Sequence, residues 1–108
     1  MMTMSEAQLT VDAGVCRFRT KIHAAGTDDF MIDLVIESEC PNVKKLAEAL
    51  GRVDLMDAVS TCIVDNSVFR KCSEFLPHPA CPIPCAIVKA CEVAGDLGLK
   101  KNVTFTFE

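Results

Sequence analysis

The sequence predicts one α+β domain of two layers, with an antiparallel or mixed sheet of three to four strands and three to four helices on one face of that sheet. Apolar and polar residues alternate in some segments, which is the period of a half-buried strand. Other segments repeat apolar residues at the spacing that places them on one face of a helix. The strand segments are 8–11, 15–23, 29–37 and 102–108, and the helix segments are 41–50, 66–76 and 82–97. Strands that precede the helices, with one strand closing the chain, are typical of this class.

The second and third strand segments are predicted to form an antiparallel hairpin, because the loop between them is short and contains glycine. The expected register pairs His23 with Asp29 and Phe18 with Leu34. Apolar side chains then face each other across the two strands, which is the arrangement that cross-strand pairs prefer. The segment 54–64 is ambiguous between a short helix and an apolar connector.

The same register brings two cysteines to one end of the sheet. Cys16 is expected opposite Ile36, and Cys40 follows directly after the third strand segment. We therefore expect the sulfurs of Cys16 and Cys40 to lie within reach of each other. The expectation depends on the register, because a shift of the pairing moves Cys16 along its partner strand.

Cys-Pro dipeptides begin two of the predicted helices. Pro41 and Pro82 fit the first helical position, where the missing N–H costs nothing, so Cys40 and Cys81 are expected to be N-cap residues. A sulfur there faces free backbone N–H groups and the positive end of the helix dipole, which favours the thiolate and lowers the pKa. The thiolate is the form that binds metals and attacks electrophiles. The alternative is that cysteine is a mediocre cap in a cysteine-rich chain.

The stretch "HPACPIPC" at 78–85 adds a histidine to the second junction. His78 stands three residues before Cys81, and imidazole and thiolate can bind the same ion. We predict a metal site formed by Cys16, Cys40, Cys81 and His78. A closed set of these ligands suits structural zinc, whereas three thiolates with an open position suit an iron–sulfur cluster or a metal carrier. Alternatively, His78 is an exposed loop residue or a hydrogen-bond partner.

The remaining cysteines are assigned from helical periodicity. Cys72 and Cys91 fall on apolar stripes and are expected to be inert core residues, and Cys62 takes the same interpretation. Cys85 points away from the apolar stripe of its helix. The spacing from Cys81 to Cys85 is one residue longer than that of the thioredoxin motif, so dithiol exchange is only weakly indicated.

Composition and charge exclude several partners. The 108 residues fit a single domain spanning 1–108, with 1–7 as a frayed N-terminal tip. A net charge of −4 and the lack of a long basic run argue against nucleic acid. No segment has the pattern of a signal peptide or the length of a membrane span, so no membrane is expected and a cytoplasmic location is predicted. The seven cysteines are odd in number and dispersed, which favours metal or redox chemistry over a disulfide framework.

Three short motifs carry a family resemblance. They are Gly-x-Cys in "GVCRF", Glu-Ser-x-Cys in "IESEC" and His-x-x-Cys-Pro-x-Pro in "HPACPIPCAIVKACEVAGDLGL". In these motifs, and over most of the chain beyond residue 8, the protein resembles an uncharacterised family of small cysteine-containing domains from anaerobic bacteria and methanogenic archaea. The motif positions are Cys16, Cys40, His78 and Cys81. The family often has glycine where this chain has Arg17, and a small residue where it has Cys85. The resemblance implies no established activity.

Three interpretations of function stay open at this point. The first is a metal ion or iron–sulfur centre held by the cysteines. The second is thiol chemistry without metal, in which Cys81 or Cys40 is a nucleophile or redox centre. The third is a binding or assembly module whose cysteines are structural. The sequence leaves open whether the protein is an enzyme, whether it forms a homo-oligomer or binds a protein partner, and which small molecule or pathway it serves.

Overall fold

The computed structural model describes residues 5–108, which form a four-stranded sheet with helices on one face. The strands are β1 (Glu6–Asp12), β2 (Arg19–Gly26), β3 (Met31–Ser38) and β4 (Arg52–Asp54), and the helices are α1 (Pro41–Ala49), α2 (Leu55–Val59), α3 (Ser67–Ser73) and α4 (Ile83–Ala94). Single 3₁₀ turns cover Gly14–Cys16 and Ile63–Asp65. The strands follow chain order in the sheet, and each neighbouring pair is antiparallel. The predicted fold class is confirmed.

The two layers follow from the alternation of side chains along the strands. In β2, Ile22 and Ala24 are buried, whereas Lys21 faces solvent. β3 alternates in the same way, which gives the sheet one core face and one solvent face. Helix α4 covers β1 and β2, α1 covers β3, and the shorter helices α2 and α3 pack against α4.

Helix α4 supplies the largest part of the helical side of the core. Its buried residues are Ile83, Ile87, Ala90, Cys91 and Ala94, the spacing of a single apolar stripe. The small residues among them allow the helix axis to approach the sheet closely over Ala24, which is fully buried. This contact fixes where the first turn of α4 lies, and therefore where Cys81 lies.

The predicted hairpin register is wrong, although the predicted faces are right. His23 pairs with Val35 rather than Asp29, and Leu34 pairs with Ala24 rather than Phe18. Strand β2 begins at Arg19 instead of residue 15 and continues through the small residues up to Gly26. The pairing is displaced by an even number of residues, so the same side chains still face the core.

The turn between β2 and β3 explains the displacement. The Thr27 N–H donates to the Met31 carbonyl at 2.9 Å, and the Met31 N–H donates to Thr27 Oγ1 at 3.1 Å. The Thr27 hydroxyl also donates to the Asp29 carboxylate. These bonds close the hairpin later in the chain than the glycine predicts, with Phe30 at a left-handed φ of 63°.

The remaining sequence expectations concern the helices, the ambiguous segment and membrane spans. The predicted helices at 41–50, 66–76 and 82–97 are confirmed as α1, α3 and α4. The ambiguous segment 54–64 begins at the last residue of β4 and continues as α2. Within residues 5–108 no helix is long and apolar enough to cross a membrane.

The predicted closing strand at 102–108 is wrong for this chain. Those residues are exposed and belong to no strand, because an alternating segment forms a strand only when it pairs with a sheet edge. The fourth strand is β4 instead. At the other terminus, the expected frayed tip falls largely on residues 1–4, which lie outside the described residues, while Glu6 and Ala7 already belong to β1.

The packing of α4 leads to a direct test with two isoleucines. Ile87→Ala is expected to lower the free energy of unfolding by about 2–5 kcal/mol, because Ile87 is fully buried between α4 and the sheet. Ile63→Ala, at a side chain that is 70% exposed, should change it by less than about 0.5 kcal/mol. Urea unfolding of both variants measures the difference, and equal losses would contradict this packing.

Candidate functional site

Three chain segments with cysteines meet the same end of the sheet. The Glu39 N–H donates to the Arg19 carbonyl at 3.2 Å, so the β2–β3 pairing extends past β3 and Cys40 follows at once. Cys16 ends the 3₁₀ turn that precedes Arg19. Cys16 and Cys40 therefore lie at one end of the sheet even though the predicted register is wrong.

Cys40 is the N-cap of α1, as predicted. It has an extended backbone (φ −77°, ψ 124°), and its carbonyl accepts the Lys44 N–H at 2.9 Å to begin the helix. Its own N–H donates to Ser38 Oγ at 3.1 Å. The Ser38 hydroxyl in turn lies 2.7 Å from that of Thr20, which is directly opposite in the sheet and only 2% exposed. This hydroxyl pair ties the position of Cys40 to the sheet register.

Cys16 lies in an exposed turn that reverses the chain between β1 and β2. Gly14 begins the turn and Arg17 follows it, with left-handed φ values of 77° and 62°, and the Arg17 N–H donates to the Gly14 carbonyl at 2.9 Å. A left-handed φ favours glycine, the residue that the resemblance leads us to expect in place of Arg17. None of the three residues of the 3₁₀ turn is buried, so the Cys16 sulfur is accessible.

Cys81 precedes α4 by two residues, because Pro82 is the N-cap and Ile83 the first helical residue. The predicted N-cap at Cys81 is therefore wrong by one residue. The Cys81 sulfur nevertheless accepts a hydrogen bond from the Ile83 backbone N–H, one of the free donors of the helix start. The Cys81 N–H donates to the His78 carbonyl at 3.2 Å, which closes the turn before the helix.

The charge environment links Cys81 to both other cysteines. Burial is the largest cause of a raised pKa at the Cys81 thiol, and the hydrogen bond from Ile83 partly offsets it. The negative charges of Cys40 and Cys16 raise this pKa further. Cys81 therefore interacts electrostatically with both cysteines at the end of the sheet. The predicted lowering of the Cys81 pKa is wrong, because burial and like charge outweigh the helix start.

Sequence reasoning missed the place of Cys72 beside this group. Its predicted core position is confirmed, since it is 2% exposed on α3. Burial raises the pKa of Cys72 to about 12, and repulsion from Cys81 contributes to the shift. Helical periodicity predicts that Cys72 faces inward, but only the tertiary contact between α3 and α4 brings it toward Cys81.

The other candidate residues are His78 and the cysteines at positions 62, 85 and 91. His78 lies in the exposed loop before Cys81. Cys85 is exposed on α4, as predicted, and Cys91 is buried, as predicted, with burial raising its pKa to about 12. Cys62 is exposed and donates weakly to Asp65 Oδ2 at 3.5 Å, so its predicted core position is wrong.

No metal site is preassembled in the described part of the chain. Across residues 5–108, no group of three or more His, Cys, Asp or Glu side chains is arranged to hold a metal ion. The predicted ligand set of Cys16, Cys40, Cys81 and His78 therefore stays a prediction.

Fold and cysteines together define a small α+β domain with a cysteine-rich sheet end. The chain belongs to a family described as Family of unknown function (DUF6951), whose family model matches residues 7–107. This agrees with the uncharacterised family expected from the sequence, while the shared motifs and the anaerobic and archaeal sources stay predictions. No curated protein and no solved structure matches the chain.

The hydroxyl pair beneath Cys40 can be tested by a double-mutant cycle. Ser38→Ala leaves the buried Thr20 hydroxyl without its partner, which costs about 1–3 kcal/mol of stability. Adding Thr20→Val removes the unpaired hydroxyl, so the double variant should be more stable than the sum of the single effects by about 0.5–3 kcal/mol. Thermal or urea unfolding of the four proteins measures this coupling, and strictly additive effects would contradict it.

The raised pKa of Cys91 predicts a loss of stability in alkali. The unfolded thiol loses its proton above pH 9.0 while the folded thiol holds its proton up to about pH 12. The unfolded state then binds fewer protons, so the free energy of unfolding falls as pH rises, by about 1 kcal/mol between pH 8 and pH 10 for this group.

Urea unfolding of reduced protein across this pH range tests that dependence. Cys91→Ala should make the decline shallower by the same amount. Val93→Ala, at a partly buried neighbour on α4, should lower stability without changing the decline. The same pH dependence in Cys91→Ala and wild type would contradict the raised pKa.

Proposed function

We propose that the protein binds a metal ion or an iron–sulfur cluster through the thiolates of Cys16, Cys40 and Cys81. The observation that carries the proposal is the electrostatic interaction of Cys81 with both Cys40 and Cys16, the two cysteines that lie at one end of the sheet. Thiolates held near one another repel, and a bound cation replaces that repulsion with attraction. Cysteine thiolates are the preferred protein ligands of both zinc and iron–sulfur clusters.

Because the pKa of Cys81 is raised, the proposed metal binding is coupled to the release of a proton. Without a cation, burial and the charges of the neighbouring cysteines raise the pKa of the Cys81 thiol and so favour its protonated form. A metal ion takes the thiolate and releases that proton to solvent. Binding is therefore expected to release protons and to weaken as pH falls.

Local structure supports a division of roles among the three ligands. Cys40 and Cys81 are held by the starts of α1 and α4, and the Ile83 N–H already stabilises negative charge on the Cys81 sulfur. Cys16 lies in a turn without buried residues, so it can move without disturbing the core. A shared tetrahedral ion requires sulfurs within about 4 Å of one another, and closure of the Cys16 turn is the movement that meets this requirement.

The fourth ligand in the proposal is His78, in the loop that leads into Cys81. Cys72 is its competitor, because it is buried on α3 and the charge of Cys81 helps to raise its pKa. The choice between His78 and Cys72 determines the kind of metal site. Coordination by His78 gives a mixed nitrogen and sulfur site near the surface, whereas coordination by Cys72 gives four thiolates reaching into the core.

The other functional interpretations have less support. A nucleophilic or redox thiol needs a low pKa, and the pKa of Cys81 is raised. A purely structural role does not account for Cys16, whose exposed side chain stabilises no packing. The metal interpretation uses all three cysteines at the sheet end.

Anaerobic purification followed by metal analysis and an absorption spectrum tests the proposal. We expect about one zinc ion or one iron–sulfur cluster per chain, with the spectrum distinguishing them. Cys16→Ser, Cys40→Ser and Cys81→Ser should each lower affinity for added Zn²⁺ or Co²⁺ at least about tenfold. Proton release on Zn²⁺ addition should fall in Cys81→Ser.

Two exposed cysteines provide matched controls for these variants. Cys62→Ser and Cys85→Ser remove a thiol outside the proposed ligand set and should leave metal content unchanged. His78→Gln should weaken binding, and Cys72→Ala should preserve it. The reverse result would reassign the fourth ligand. A chain that binds no metal, or binds it equally in all three ligand variants, would overturn the proposed function.

A further inference from the structure

The C-terminal segment after α4 has the features of a strand without a partner. At the end of α4, the N–H groups of Leu97 and Gly98 donate to the Glu92 carbonyl at 2.8 and 3.1 Å and turn the chain off the helix. Beyond this turn Val103, Phe105 and Phe107 alternate with polar residues. Their side chains are 57%, 84% and 101% exposed, which is unusual for three large apolar groups on one face of a segment.

Strand β1 presents the complementary feature at the edge of the sheet. Among residues 5–108 its only strand neighbour is β2, so the backbone groups on its other side present an edge that can pair with a further strand. On the core face of β1, Leu9 and Val11 are only partly buried, although α4 packs over this strand. The opposite edge is a poorer acceptor, because β4 has three residues and leads directly into α2.

We propose that residues 102–108 of one copy of this chain pair as a fifth strand with the β1 edge of a second copy. The exchange is reciprocal across a two-fold axis and produces a homodimer. It is independent of the proposed metal site, which lies in the loops and helix starts at the end of the sheet.

The two partners of this pairing match in length and pattern. The segment 102–108 and β1 each contain seven residues with strict alternation. In the paired state, Val103, Phe105 and Phe107 extend the core face beside Leu9 and Val11, while the alternate polar side chains extend the solvent face. Every side chain in the segment is thereby placed on the face that suits it.

The area buried is sufficient for a stable dimer. Aromatic side chains bury about 150–250 Å² each, so the four phenylalanines of two exchanged segments supply about 600–1,000 Å². Val103 and the receiving surfaces of β1 and α4 bring the total to the range of about 1,200 Å² or more that specific interfaces bury. Edge-strand pairing adds backbone hydrogen bonds along the whole segment.

A second copy accounts for the segment better than its own sheet does. All ten residues from 99 to 108 are exposed, so the segment does not pack on the body of its own chain. Its own β1 edge stays open at the same time. Exchange between copies covers both apolar segments and both edges in one step.

Light scattering after size exclusion, over a concentration series of the full chain, tests the proposal together with hydrogen exchange. We expect a reversible monomer–dimer equilibrium, with amides of 102–108 and β1 gaining protection as the dimer forms. Phe105→Asp should raise the dimer dissociation constant at least about tenfold, because it places a charge on the core face. Thr104→Asp, one position earlier on the solvent face, should change it less than about threefold.

Removal of 102–108 serves as the second variant, and it should give a folded monomer at all concentrations. Three results would overturn the proposal. They are a chain that stays monomeric at the highest concentration, a dimer that Phe105→Asp and Thr104→Asp weaken equally, and protection of 102–108 that does not depend on concentration. The last result would mean that the segment pairs with its own sheet.

Discussion

The close contact between α4 and the first two strands determines the rest of this structure. It depends on small side chains, because Ala24 on β2 and Ala90 and Ala94 on α4 are fully buried. Larger residues at these points would lift the helix from the sheet or leave voids beside it, and both are costly in a close-packed core. With α4 held in place, Cys81 precedes its first turn, and the charge of Cys40 at the start of α1 helps to raise the pKa of the Cys81 thiol. The position of Cys81 relative to Cys40 is thus a consequence of alanine packing some distance away.

Opposing electrostatic effects act on the Cys81 thiol. Helix starts present free N–H groups, and the one at Ile83 points at a sulfur. Burial and the charges of the neighbouring cysteines nevertheless raise the pKa of that thiol. A cation reverses this balance, since attraction to each thiolate replaces the repulsion between them. The proposed centre therefore couples metal binding, proton release and closure of the Cys16 turn.

The sequence predicts faces and helix starts well because these depend on local chemistry. Alternation assigns Ile22 to the core whatever the register, and Cys-Pro at 40–41 marks a helix start because proline fits its first position. Register depends instead on which residues close the turn. Here Thr27 closes it with its side chain, and glycine alone predicts a different turn.

Tertiary contacts account for what the sequence does not predict at the candidate site. The approach of Cys72 to Cys81 joins two helices whose separate patterns contain no information about each other. The C-terminal segment is a different case. Its alternation predicts a strand, and it pairs with no strand among residues 5–108. An alternating pattern indicates that a segment is able to pair as a strand. A second chain can supply the sheet edge with which it pairs.

Alkylation of all seven cysteines, followed by mass spectrometry with and without bound metal, tests the central claim most directly. The account predicts that metal protects Cys16, Cys40 and Cys81 together, to the same extent and at the same metal concentration. Cys62 and Cys85 should react equally in both states, because they are exposed and lie outside the proposed ligand set. Reaction of Cys16 at an unchanged rate while metal is bound would contradict a centre shared by the three thiolates.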